Sequence, residues 1–487
     1  MSEWLSDNLG LGIVLLAASV HLSGLVSALH AVVRTRTAQG AVAWSISLLT
    51  FPYLALPLYW LFGRGKFHGY VEARRSGDLK IHHVAAELKA RLESGCRVCL
   101  PEDAVHLRVF EHLVGLPFSS GNEVQLLKNG EAAFSAMFAA IDEAENYLLL
   151  QVYILRDDDL GRDLKTRLMR RARDGLRIYL LYDEIGSYGL APAFIGDLLA
   201  AGAEVRPFGT TQGPVNRFQL NFRNHRKILV ADGRSAFVGG LNFGDEYLGR
   251  NAAMGQWRDT HLRITGPAVQ SIQLAFVEDW YWAAHEVPDL NWEPHRQAAG
   301  DGAPDGQAVL PLPTGPADAQ DNCELFFLEA LRNARQRIWI ASPYFAPDEQ
   351  VISALELARL RGVDVRVLLP QRADLLLVHL ASFGYYPMAE RAGIAIYRYQ
   401  PGFLHQKVLL VDDELASVGT ANLDNRSFRL NFELSIVVWD RAFAAAVAEM
   451  LEEDFSHSRR VAPGELDDSS FWFRLGVSLS RLLAPVL

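Results

Sequence analysis

The chain has 487 residues, half of them hydrophobic and 21% charged, and a formal net charge of −10. That length holds two or three ordinary domains, and the acidic balance argues against a dedicated nucleic-acid binder, which carries a basic face. Three cysteines make no disulfide framework; Cys96-Arg-Val-Cys99 is an isolated C-x-x-C without a second pair or a histidine cluster, so reduced thiols are expected.

Residues 9–33 run 25 positions, and residues 41–62 run 22, without Asp, Glu, Lys or Arg. At about 1.5 Å per residue, each is long enough for a hydrocarbon core of about 30 Å. A transmembrane helical hairpin over 1–63 is therefore expected. Glu3 and Asp7 stand where a secretory signal has basic residues, and a second apolar segment follows, so a signal peptide is a poor fit. Trp44, Tyr59 and Trp60 suit an interfacial belt, and Pro52 and Pro57 predict a kink in the second segment. Arg34 and Arg36 lie in the turn, against Arg64, Lys66, Arg74 and Arg75 after the second segment. The richer basic side is the C-terminal one, which puts the large soluble part in the cytoplasm.

Residues 64–120 read as a basic, partly helical connector. Beyond it the chain repeats itself. ENYLLLQVYI (145–154) parallels QRIWIASPYF (336–345), RDGLRIYLLYD (173–183) parallels LRGVDVRVLLP (360–370), and LAAGAEVRPFG (199–209) parallels AERAGIAIYRY (389–399). Strands alternating with helical patterns imply α/β units with buried sheets. The repeat predicts two similar domains, at 121–293 and 321–465, related by a pseudo-twofold axis. The Pro-, Gly-, Ala- and Asp-rich stretch 294–320 reads as the linker between them. In the last stretch, 466–487, Phe471, Leu475, Leu479 and Leu482 recur at helical spacing with Arg474 and Arg481 interspersed. An amphipathic helix is expected there, docked on the core or lying in a membrane interface.

The chemistry lies in a pattern that occurs twice, H-x-K-x-x-x-x-D. HRKILVADGRSAFVGGLN supplies His225, Lys227, Asp232 and Asn242; HQKVLLVDDELASVGTAN supplies His405, Lys407, Asp412 and Asn422. The offsets agree, with His to Asp 7 residues and His to Asn 17 residues in both copies. A lone histidine before a β run is usually a strand-end residue; the duplication makes that reading untenable for His, Lys and Asn. In a strand, side chains two apart share a face, so each His-Lys pair can address one ligand. Two imidazoles and two ammonium groups at one symmetric site suit a phosphodiester.

These motifs resemble the phospholipase D superfamily. The apolar N-terminal segments, SPYFAPDE at 342–349, RAGIAIYRYQPGFLHQK at 391–407 and GTANLDNRSFRLNFE at 419–433 make the chain similar to bacterial cardiolipin synthases of the two-motif type. The resemblance implies an α/β fold, with two phospholipase D-type domains, each a mixed sheet flanked by helices, behind a membrane hairpin. It also implies transfer between two phosphatidylglycerol molecules, giving cardiolipin and glycerol, at a bacterial inner membrane. The candidate catalytic set is His225, Lys227, Asp232, His405, Lys407 and Asp412, with the two aspartates in a supporting role. One imidazole attacks phosphorus and the other protonates the leaving glycerol oxygen. The lysines, with Asn242 and Asn422, stabilise the non-bridging oxygens.

The family pattern implies an acidic residue on the next strand to orient each histidine. That is Glu433 for the second half, and Asp259 for the first half once an insertion is assumed. A firm Glu433 pairing would favour the imidazolium form of His405 and leave His225 to attack. Phosphatidylglycerol, as donor and acceptor, and the bilayer are the expected partners; no nucleic acid, cofactor or metal is expected. The same residues would also serve a phospholipase D hydrolase, a phosphatidylserine synthase-like transferase or, against the charge and the apolar segments, a nuclease. Tyr344, Phe345, Phe383, Tyr385 and Tyr386 read as core or acyl-groove lining.

Overall fold

The computed structural model describes residues 2–35, 37–63, 70, 78–102, 104–209, 221–295, 306–372 and 374–483. They form two compact units, Met1–Glu72 with Thr210–Phe222, and Ala73–Gly209 with Arg223–Leu487.

The described residues of the first unit are mostly helical. Helix α1 spans Ser2–Arg34, α2 spans Ala38–Thr50 and α3 spans Pro52–Phe62. Thr37 caps α2 by accepting the Gly40 N–H. Helices α2 and α3 pack back on α1. Gly24 makes this possible, since a Cβ there would lie 2.5 Å from the Leu48 carbonyl oxygen. His30 meets the Tyr59 hydroxyl at 2.6 Å, and Trp60 donates to Ser27 at 3.2 Å. Within α1, Gly10–Arg34 is long and apolar enough to cross a membrane. The expected second spanning helix is instead broken. Pro52 lacks an N–H and restricts Phe51, which leaves the helical region at φ −139, ψ 60. Helices of 13 and 11 residues result, each short of the roughly 20 that a straight span needs.

The second unit is built on one sixteen-stranded sheet. Its first half contributes β1 (Ser119–Lys128), β2 (Tyr147–Val152), β3 (Arg177–Asp183), β4 (Glu204–Phe208), β5 (Arg223–Asn224), β6 (Ile228–Ala231), β7 (Ser235–Gly239), β8 (Gln256–Arg258) and β9 (Thr260–Thr265). The second half contributes β10 (Gln307–Thr314), β11 (Arg337–Ala341), β12 (Phe345–Ala346), β13 (Asp364–Pro370), β14 (Ala395–Tyr399), β15 (Gly402–Leu404), β16 (Val408–Val411), β17 (Leu415–Gly419), β18 (Leu423–Asp424), β19 (Asn431–Trp439) and β20 (Ser458–Arg460). Strands β8, β12, β15 and β18 lie outside the large sheet in two short pairs, β12 with β18 and β8 with β15.

The expected internal symmetry is present in the strand order. From the outside inward, β4-β3-β2-β6-β7-β9-β1 mirrors β14-β13-β11-β16-β17-β19-β10, and β1 and β10 join antiparallel at the centre. Register repeats as well. Ile228 faces Val238 across β6 and β7, and Val408 faces Val418 across β16 and β17. Each half has its own apolar core beneath its helices. The stretch expected as a linker therefore contains a strand. Residues 307–314 bury Val309, Leu310 and Leu312 and pair with β19, because an apolar run beside an open sheet edge is better paired than solvated.

The C-terminal segment is helical over Phe471–Leu482, with Phe473 edge-on to Phe383 at 5.2 Å and the Arg481 guanidinium over the Tyr385 ring. Val477 is buried, while Phe471, Trp472, Leu479 and Leu482 face outward. One face docks and the other remains apolar and open.

Candidate active site

Each motif begins where a short strand of one half crosses to the other. Strand β5 runs parallel to β19, with Asn224 opposite Phe432. Strand β15 runs parallel to β8, with Leu404 opposite Arg258. The ladders continue into the motifs, as His225 N donates to the Phe432 carbonyl at 2.9 Å and His405 N donates to the Arg258 carbonyl at 2.8 Å. The residue after each accepting carbonyl is a carboxylate, Glu433 in one case and Asp259 in the other.

The carboxylates are thereby exchanged between halves. His225 Nδ1 lies 2.9 and 3.1 Å from the two Glu433 oxygens, and His405 Nδ1 lies 2.8 Å from Asp259 Oδ2. The expected pairing within each half, Glu433 with His405 and Asp259 with His225, is corrected. A strand following its motif in sequence is not the strand its histidine pairs with. With Nδ1–H donated to a carboxylate, the Nε2 lone pair is the free one on each ring. Asp259 and Glu433 are true counterparts, for Gly239 faces His261 and Gly419 faces Ser435, two residues further on in each case.

Their surroundings differ. Glu433 also accepts from Thr420 (2.6 Å), Ser427 (2.8 Å) and Asn431 (3.1 Å). Thr420 corresponds in position to Gly240, where a Cβ would lie 2.2 Å from the Asp259 carboxylate. The shorter acid and the glycine fit only together.

Lys227 donates to the His225 carbonyl at 2.7 Å and Lys407 does the same to His405. Both lysines are buried, at 2% and 3% exposure. Burial lowers Lys227 to about 7 and Lys407 to about 8, against the opposing pull of Glu433 and Asp259. Burial also lowers the imidazoles, His225 to about 4 and His405 to about 3, with the neighbouring lysines adding to the effect. Both carboxylates are held below their usual range. Burial alone would raise them, but the histidine partners and nearby lysines outweigh it. The site thus pairs anionic carboxylates with neutral imidazoles at neutral pH.

The histidines open onto a cleft of about 670 Å³, whose wall includes Asn242, Asn422, Tyr153, Tyr247, Trp257 and Tyr344. Asn242 donates to Tyr247 (2.8 Å) and accepts from the Ile154 N–H (3.1 Å). The Asn422 amide oxygen is buried without a hydrogen-bond partner among the described residues. Tyr153 stands edge-on to His225 at 4.9 Å; Trp257 lies 5.1 Å from His405. The lysines lie off this wall, so their charge reaches the cleft from within the protein.

Asp232 and Asp412 are not brought to the cleft, a correction to their place in the catalytic set. Seven residues of strand put them roughly 20 Å from the histidines. Asp232 accepts the N–H groups of Glu145, Asn146 and Tyr147 at 2.7 to 2.9 Å. Asp412 accepts those of Arg335, Gln336 and Arg337 at 2.7 to 3.1 Å. Both take left-handed turn conformations, φ 56 and φ 53, which aspartate tolerates in a tight hairpin.

Sequence reasoning passed over Arg226, which pairs with Asp279 at 2.9 Å, and Gln406, which donates to Asp454 at 2.8 Å. These middle residues of H-x-K point to the opposite face and lock the motif to a helix. It also passed over Arg223 and Arg426 on the cleft wall. Aligning the repeats would have found them, since their counterparts are Phe403 and Glu246.

Two half-sites of this kind on a duplicated mixed sheet define a phospholipase D-type protein. The family described as "Cardiolipin synthase, PLD-like domain" matches residues 137–280 and 327–456. Cardiolipin synthase A of Pseudomonas fluorescens is 47% identical over 97% of this chain and 98% of its own length. That of Pseudomonas aeruginosa is 46% identical over 97% of this chain and 96% of its own length. Among solved structures, phosphatidylserine synthase of Haemophilus influenzae has the same fold, with a TM-score of 0.60 at 14% identity, covering 78% of this chain and 100% of that one. The chain belongs to the cardiolipin synthase family of phospholipase D-like proteins.

Proposed function

We propose that the protein is a phosphatidyltransferase that makes cardiolipin from two phosphatidylglycerol molecules, releasing glycerol. The observation that carries the mechanism is the pair of imidazoles on one cleft, each with Nδ1 fixed by a buried carboxylate.

One Nε2 attacks the phosphorus of the donor, forming a P–N bond as the bond to the glycerol oxygen breaks. The other imidazole, protonated once the anionic phosphodiester offsets the lysines, gives its proton to that oxygen. The headgroup hydroxyl of the second phosphatidylglycerol then attacks the phosphatidyl-histidine, its proton passing to the same imidazole. Lys227 and Lys407 supply positive potential, and Asn242 and Asn422 supply amide donors for the non-bridging oxygens. The exchanged carboxylates remove the ground for making His225 the nucleophile, because the richer carboxylate belongs to His225 itself.

The supporting apolar feature is α1, which we take as an anchor in the bacterial inner membrane. The basic residues after the second apolar segment favour a cytoplasmic soluble part; Arg64, Lys66, Arg74 and Arg75 lie outside the described residues. The test is incubation of the purified protein with labelled phosphatidylglycerol and chromatography of the lipids. Cardiolipin and glycerol in equal amounts are expected, and neither from His225→Ala or His405→Ala. Phosphatidic acid in place of cardiolipin would make the enzyme a hydrolase.

A further inference from the structure

The second half of the repeat carries a helix that the first half lacks. In the first half, β3 leads to the helix Pro192–Ala200 with no helix between them; in the second, the helix Leu376–Phe383 stands between β13 and the helix Tyr386–Ala392. The added helix starts at the cleft, whose wall includes Leu375 and Val378. Val378 and Ala381 are buried, while Leu375, Leu376 and Leu377 are exposed.

The C-terminal helix Phe471–Leu482 packs on this addition. Phe473 stands edge-on to Phe383, Gly476 lies against the end of the Leu380 side chain, and Arg481 lies against Gly384. Val477 and Ser480 are buried by the contact. At about 100° per residue, Phe471, Trp472, Leu475, Leu479 and Leu482 fall in one arc of about 100° on the other side of the helix. That arc is open, with Trp472 and Leu482 each 76% exposed. Arg474 and Arg481 project together beside the arc and are the only charged residues of the helix, in a chain whose net charge is −10.

An open face of aromatic and aliphatic side chains flanked by arginines suits the boundary between headgroups and acyl chains, where tryptophan sits by preference and basic side chains meet anionic lipid. Its position favours lipid over a protein partner, because the leucines of the added helix carry the apolar surface up to the cleft wall. We propose that these two helices are a membrane-docking surface, bedded in the headgroup layer of an anionic bilayer, that holds the cleft mouth against the lipid. A phosphatidylglycerol headgroup then reaches the histidines while its acyl chains stay against apolar surface. Docking on one side only leaves the other rim of the cleft free for glycerol to depart into water.

This inference rests on the lipid substrate proposed above, and its test separates the two. The full chain is reconstituted in phosphatidylcholine vesicles containing phosphatidylglycerol, with and without brominated acyl chains. Trp472→Phe should remove about one tryptophan's share, of the ten present, from the emission that bromine quenches. In a second arm, Trp472→Ser, Leu479→Ser and Leu482→Ser are combined. Cardiolipin formation from long-chain phosphatidylglycerol in the vesicle should fall roughly tenfold or more, the scale of withdrawing three apolar side chains from lipid. Turnover of dihexanoyl phosphatidylglycerol supplied as monomers should stay within about twofold of wild type. Quenching unchanged by Trp472→Phe overturns the inference, and so does full activity of the triple variant on vesicle lipid. An equal fall on both substrates makes the helix part of the fold and also overturns it. Cross-linked dimers that vanish in the triple variant, with no quenching at Trp472, assign the face to a second copy of the chain instead. A wild-type protein that makes no cardiolipin overturns the transferase reading, while the quenching still decides the docking surface.

Discussion

Glu433 and His225 lie 208 residues apart and in opposite halves of the repeat, yet the carboxylate closes on the imidazole at 2.9 Å. The contact follows from backbone pairing and not from side-chain reach. Once β5 lies parallel to β19 and His225 N bonds to the Phe432 carbonyl, the next residue has nowhere else to point. The same construction joins His405 to Asp259.

Glu433→Gln and Asp259→Asn should each lower transfer by about a hundred- to ten-thousandfold while leaving the fold intact, because a neutral amide no longer holds the Nδ1–H tautomer. Steady-state cardiolipin formation measures the loss, and circular dichroism checks the fold. Activity within tenfold of wild type for both variants would mean the carboxylates only fill space.

Lys227→Met should lose two to four decades of rate, as expected when the positive potential behind the developing oxyanion is removed, but not stability. Folding lowers Lys227 to about 7 from its ordinary 10.5, so the unfolded chain binds more protons between those values. Stability from this group therefore rises with pH through that window, and at pH 7 the folded state bears the penalty. The melting temperature of Lys227→Met at pH 7 should equal or exceed that of wild type; a fall of several degrees would contradict it.

Binding of vanadate, as a stand-in for the phosphodiester, should take up about one proton at pH 6. The imidazoles, at about 4 and about 3, are neutral there, and an anion beside them raises the pKa of one. Because folding depresses both values, protonation favours the unfolded chain, and stability falls as pH drops from the usual histidine range toward 4. Calorimetry in buffers of differing ionisation enthalpy reads the uptake directly. Zero uptake would mean that the general acid is not a histidine.

Gly240→Ala should inactivate the enzyme or prevent folding, whereas Thr420→Ala, at the equivalent position, should be folded and partly active. The added Cβ in the first case meets the Asp259 carboxylate at 2.2 Å; the second loses one hydrogen bond to Glu433, about 1 to 3 kcal/mol. Equal behaviour of the two variants would remove the asymmetry described between the half-sites.

The duplicated motif made much of this legible. Equal offsets from His225 and His405 predicted a repeat, and the repeat appears strand for strand in the sheet order. The i, i+2 rule predicted His and Lys on one face; in the structure the histidines line the cleft and each lysine turns back to its own histidine's carbonyl. Sequence spacing could not reveal that β5 and β15 cross over, because offsets within a repeat carry no information about which copy a strand pairs with. The break at Phe51 was half visible, since Pro52 predicts a kink but not the end of a helix. Strand β10 was hidden by Pro311 and Pro313, which disguise a strand that nevertheless pairs antiparallel with β19 throughout.

The exchanged carboxylates also set a time order on the ribosome. When the first motif has emerged and its half has begun to fold, His225 still lacks the acid that orients it, which is made more than two hundred residues later. Asp259 waits in turn for a histidine not yet translated. A nascent or truncated chain thus carries no competent half-site beside the lipids it is being made to join. Reactivity appears only with the completed molecule.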